Sequence, residues 1–180
     1  MGALRHIDHR VNRVREILPA HPYVPPPAQS GLPPDLLAGG LPPDFRASLL
    51  PGLPLSRALA RAVMGFSPLL ADAVLHTAGL EGKRPPASLT GEEYARLASS
   101  LEETCKNIVK GDYSPAVYYG EKTAVSEPKP LAVHALPLPG FPEIRTFPTV
   151  YEAVTLYNRQ TEAAKIFEGR EAALQKRIAD

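Results

Sequence analysis

A Ser67-Pro68 pair placed just ahead of an apolar run, with Gly79 at the far end, constrains this chain more than any other feature. Ser67 can accept a hydrogen bond from a first-turn amide, and Pro68 suits the first helical position, where a missing N–H costs nothing. Phe66, Leu70, Val74 and Thr77/Ala78 recur on one helical face, and Gly79 supplies the left-handed residue that ends the helix. Upstream, Leu55, Leu59, Ala62 and Val63 form a second apolar stripe over Leu55–Met64. Two such helices joined by Gly65-Phe66-Ser67 predict a tight helical hairpin, the outline of a helix-hairpin-helix element.

The charge balance limits what that hairpin can serve. Over 180 residues the net charge is +1, so any nucleic-acid binding must come from a local patch. Cys105 is the single cysteine, which excludes an internal disulfide, supplies no zinc cluster and suggests a reducing cytoplasm. The first residues lack the apolar core of a signal peptide. No apolar run approaches the roughly 20 residues of a membrane helix, so a soluble, cytoplasmic protein with no membrane partner is expected. Twenty-one prolines punctuate the chain, interspersed with Leu, Tyr and Phe, which argues against a disordered tail.

Taken in order, Ala3–Leu18 reads either as two short charged strands or as one amphipathic helix, and Leu18–Pro27 as an extended segment. Pro33–Ala38 and Pro42–Leu49 are short helical candidates. Thr90 and Glu93 form a capping box, after which Tyr94, Leu97, Leu101, Cys105 and Ile108 line one face until Gly111. The period then changes: Ala116–Tyr119, Leu131–Leu136 and Ile144–Phe147 read as strands. Thr149 and Glu152 open a last helix, whose apolar side would run through Val150, Val154, Tyr157, Thr161 and Ala164 toward Asp180, with Gly169 as a candidate break. The expected fold is α+β: a small helical bundle with a helix-hairpin-helix element, a small antiparallel sheet and a long C-terminal helix. The expected divisions are residues 1–30, 31–112, 113–148 and 149–180, the last beginning a coiled coil.

At this point the residues resemble a known family. Ile17-Leu-Pro-Ala-His-Pro-Tyr-Val-Pro-Pro-Pro27, Gly65-Phe-Ser-Pro-Leu-Leu-Ala71, Ala78-Gly-Leu80 and the order of strands before a long helix are similar to the NFACT family, whose bacterial members are called RqcH or fibronectin-binding protein A. The resemblance covers nearly the whole chain, as an internal fragment of a longer protein. It implies ribosome-associated quality control: binding to the large ribosomal subunit with peptidyl-tRNA, and recruitment of tRNA for alanine tailing of the nascent chain. The family's Asp-Arg pair for tRNA contact has no match here. The older name implies fibronectin as an alternative partner. The fold of the family's N-terminal half also resembles formamidopyrimidine-DNA glycosylases, which leaves a DNA-binding, glycosylase-like reading as a third.

The hairpin carries the candidate nucleic-acid site. Amides of Gly65, Phe66, Ser67 and Leu69 could face a phosphate, helped by the helix dipole, while Pro68 cannot donate. Arg57 and Arg61, one turn apart, would add charge. Ser67 stands where such turns usually carry a second glycine, which restricts backbone approach. The plainer reading is a structural hairpin with solvated arginines. Arg5, Arg10, Arg13 and Arg15 fit a solvated face better than an RNA-facing strand, and His6, Asp8 and His9 lack the further ligands a metal needs. Tyr118, Tyr119, Tyr151 and Tyr157 could stack on bases or simply pack a core. Glu92/Glu93 and Glu102/Glu103 read as exposed helix charges. No nucleophile, acid–base pair or cofactor motif stands out, so no enzymatic activity and no cofactor are expected of this segment.

Overall fold

The computed structural model describes Pro25, residues 30–121 and residues 128–179, with side chains through residue 164. The unit considered below is Gly31–Asp180. The expectations for Ala3–Leu18 and for the Pro-rich stretch after it fall outside the described residues.

Four helices precede the sheet's support. They are α1 (Pro34–Leu37), α2 (Phe45–Ser48), α3 (Leu55–Ala62) and α4 (Pro68–Thr77), followed by a 3₁₀ turn at Pro86–Ser88 and by α5 (Gly91–Lys110). Each longer helix has its end groups satisfied. The first amides of α3 donate to loop carbonyls, Leu55 to Arg84 at 2.8 Å and Ser56 to Gly82 at 3.0 Å. Ser67 Oγ accepts from the Leu70 amide at 3.2 Å and caps α4. At the other end, Leu80 donates to Leu75 and Gly79 (φ +68°) to His76, the two bonds of a Schellman motif. Arg96 Nε and Ser100 Oγ, both on α5, reach the Ala78 and Val74 carbonyls, so the end of α4 is tied to its neighbour.

α5 is the bundle's backstop. Its capping box is complete: Glu93 N–H donates to Thr90 Oγ1 at 3.2 Å, and Thr90 N–H donates to Glu93 Oε2 at 2.9 Å. Leu97, Leu101 and Cys105 are fully buried on its inner face, with Tyr94 and Ile108 at the margins, and Gly111 (φ +70°) ends it with a second Schellman motif.

The sheet has three antiparallel strands in the order β2-β1-β3, with β1 at Ala116–Tyr119, β2 at Pro130–His134 and β3 at Glu143–Thr146. Side chains alternate between faces along a strand. Ala116 and Tyr118 therefore join the helical core, while Val117 and Tyr119 form a second cluster with Ala153 and Tyr157 of α6 (Val150–Ala179). The layers are bundle, sheet and long helix, an α+β architecture. The bundle's core runs without interruption into the sheet through Tyr118, Ala132, Leu136 and Leu138.

Some expectations shift. α3 ends at Ala62, not Met64, because Val63 leaves the helix to form a parallel bridge with Leu32. Leu32 N–H donates to the Ala62 carbonyl at 2.8 Å and Met64 N–H to the Leu32 carbonyl at 2.9 Å. Gly31 is required there: its φ is +120°, and a Cβ would lie 2.8 Å from the Arg61 carbonyl oxygen. On α6, Tyr157 packs against the sheet as expected, but Val150 and Val154 are exposed and Ala153 takes the buried place in the first turns. No break occurs at Gly169. Tyr118 and Tyr119 are 2% and 4% exposed and belong to the two cores, leaving no face for a base.

Two outcomes follow for stability. Tyr118 Oη accepts from the Leu138 amide at 3.0 Å and donates to the Leu136 carbonyl at 3.2 Å, inside the core. Tyr118→Phe strands both groups and should cost about 1–3 kcal/mol in a denaturant melt. The Glu93 carboxyl is held down at about 2, first by its hydrogen bonds from Arg84 and then by the Thr90 amide. A carboxyl with a depressed folded pKa stabilises above its unfolded value of about 4.3 and loses that contribution as pH falls toward 2. The melting temperature should therefore drop between pH 4.5 and 2, and Glu93→Gln should flatten that part of the profile.

Candidate nucleic-acid interface

α3 and α4 pack directly on one another, and the chain turns between them over Val63–Ser67. The corner is made by alternation of outward and inward residues. Gly65, in the left-handed region at φ +79°, turns the backbone, with open space where a Cβ would sit. Phe66 then drops inward, 9% exposed, while Met64, Ser67, Pro68 and Leu69 stay outside.

The donors at this corner are fewer than the sequence suggests. The Phe66 amide donates to the Val63 carbonyl at 3.3 Å, and the Ser67 hydroxyl is engaged with Leu70. Gly65 also has a partner. The array of amides that would cradle a phosphate is thus partly committed within the turn.

What the corner does present is charge over an apolar floor. Leu53, Arg57, Ala60, Arg61, Phe66 and Pro68 line an open cleft of about 400 Å³. Arg57 and Arg61 stand one helical turn apart on the exposed side of α3, both pointing into this cleft. Neither guanidinium has a hydrogen-bond or ion-pair partner among the described residues, and no carboxylate lines the cleft. The contrast with the bundle's other arginines is informative. Arg84 holds Glu93 with bonds of 2.7 and 3.1 Å, Arg46 donates to the Leu89 carbonyl at 2.6 Å and lies 5.2 Å from the Tyr94 ring, and Arg96 caps α4. Those three are structural. Arg57 and Arg61 share no such task, and the amino terminus of α4 adds partial positive charge beside them. Among the described residues, then, the cleft is lined by two cations and no carboxylate, a surface suited to an anion.

The cleft therefore gathers Arg57, Arg61 and Phe66; Gly65 and Ser67 belong to the adjoining turn, and Leu69, in the first turn of α4, is 37% exposed. Sequence reasoning placed Phe66 on the apolar face and gave its amide a phosphate-facing role; in the structure the ring is 9% exposed and lines the cleft. Leu53 and Ala60 were missed. For Ala60 a signal was available, since it lies three positions after Arg57 on α3; Leu53 precedes the helix and its place depends on the fold. Glu93, expected to cap α5 with Thr90 and to be otherwise an exposed charge, also forms an ion pair with Arg84 nine positions away.

Cys105 is fully buried, and burial pushes its thiol up to about 11. Among the described residues no cluster of His, Cys, Asp or Glu could hold a metal, and no helix is long and apolar enough to cross a membrane. The stretch containing His6, Asp8 and His9 is outside the described residues.

A family model described as the NFACT N-terminal and middle domains matches residues 1–180. A search of curated proteins gives no match.

Cys105 should resist a thiol reagent at pH 7.5 in the folded protein and react once denaturant is added; prompt labelling without denaturant would contradict its placement.

Proposed function

This chain belongs to the NFACT family, and from that premise we propose that it is a non-catalytic RNA- and ribosome-binding module of a quality-control factor. The family is linked to ribosome quality control in general. In this reading the module acts in the cytoplasm and helps a longer protein hold the large ribosomal subunit with peptidyl-tRNA, while tRNA is recruited for alanine tailing. The contact made by these residues is with phosphates.

One observation carries the reading: two guanidiniums, Arg57 and Arg61, without a partner among the described residues at an outward helical corner. Neither arginine is tied into the described part of the fold, so both are available to a group approaching from outside. Arginine suits that task because its planar fork meets two phosphate oxygens at once. Gly65 and Ser67 fix the corner's shape so that the charges stay on one side of it.

The test is binding to tRNA and to large ribosomal subunits over a salt series. Affinity should fall steeply with salt as counterions are released, and Arg57→Glu with Arg61→Glu should lower the log–log slope by about 2 while leaving the melting temperature unchanged. Binding that is absent or insensitive to salt rejects the reading; capture of fibronectin in its place would favour the adhesin-like alternative.

A further inference from the structure

We propose that the cleft beside the helical corner is a single-nucleotide pocket, taking one unpaired nucleotide of an RNA strand with its base on the apolar floor and its phosphate between Arg57 and Arg61. This rests on the RNA-binding reading and adds to it the kind of RNA feature recognised.

The cleft's two halves point to this class. A bare phosphate site needs donors and charge but no apolar lining, whereas here Leu53, Ala60, Phe66 and Pro68 line the same cleft as the two arginines. A duplex backbone presents phosphates on a convex surface with its bases stacked inside, so nothing of it would enter a concavity. An unpaired nucleotide brings both parts together: a flat π-face for the floor and an anionic group a few ångströms away. Its size also fits, since about 400 Å³ lies within the range of small-ligand pockets, roughly 300–1,000 Å³, and toward its lower end. Phe66 and Pro68 are rigid, and Ala60 leaves room that a longer side chain on α3 would fill. Stacking on such a floor is tolerant of base identity, so little sequence preference is expected.

The geometry also distributes the roles. Arg57 and Arg61 are on successive turns, and their forks can close on one phosphate from two sides. With no carboxylate in the cleft, an incoming anion meets no opposing charge.

The experiment uses the full 180-residue chain, isotope-labelled at alanine methyls and phenylalanine rings, titrated with AMP, inorganic phosphate, an unstructured oligoribonucleotide, its deoxy counterpart and an RNA duplex. AMP and the ribo-oligonucleotide should shift the Ala60 methyl and Phe66 ring, while equimolar inorganic phosphate moves neither. The single strand should bind at least tenfold tighter than the duplex. Arg57→Ala with Arg61→Ala should abolish that preference, and Ala60→Glu, which fills the cleft with a carboxylate, should do the same. A deoxy strand binding equally well keeps the pocket and removes its restriction to RNA. If duplex and single strand bind equally, or if RNA binds without perturbing Ala60 and Phe66, the pocket is wrong and the broader RNA reading stands. If no nucleic acid binds, both fall.

Discussion

Strand β1 is the constraint on which the rest of the molecule depends. All four of its residues are buried, because a central strand covered on both faces has no solvated side. Ala116 and Tyr118 fasten it to the helical bundle, and Val117 and Tyr119 fasten it to α6. Tyr118 does most of this work. Its ring packs 5.0 Å from that of Phe141, and its hydroxyl satisfies two backbone groups of the Leu136–Leu138 loop. Remove the strand and the bundle loses one wall of its core while the long helix loses its seat.

The bundle in turn fixes the corner. Helix ends are expensive to bury unless their free amides and carbonyls find partners, and here neighbouring segments supply them. The loop at Gly82–Arg84 finishes the start of α3, Leu32 finishes its end, and α5 side chains finish α4. Arg84 itself is held by Glu93, so that loop is clamped by an ion pair whose carboxylate also caps α5. The two helices carrying the cationic cleft are therefore positioned by contacts none of which uses Arg57 or Arg61. That separation is why the two arginines can be changed without unmaking the fold.

Local signals were legible in the sequence wherever the physics is local. Ser67-Pro68, Thr90 with Glu93, and the glycines at 79 and 111 marked helix ends because capping is decided within a few residues. The face of α5 was legible for the same reason. What the residues alone did not show depends on distant partners. Val63 leaves its helix because Leu32, thirty-one positions earlier, takes its place in the hydrogen-bonding pattern. On α6 the larger valines drew attention, yet the close approach of the helix to β1 selects the small Ala153 and turns Val150 and Val154 outward. In the cleft, the arginines were legible as charge and Phe66 as an apolar position, but the approach of Leu53 to both depends on the packed fold.

The Leu32 clasp has a consequence for how the protein is made. A ribosome delivers Leu32 before Ala62 and Met64, so both partners needed to finish α3 are present as soon as the corner emerges. The wall supplied by β1 comes later, and the loop that holds the Tyr118 hydroxyl later still. The cationic corner can thus take shape early in synthesis, with the sheet and long helix closing over the opposite side of an already seated pair of helices.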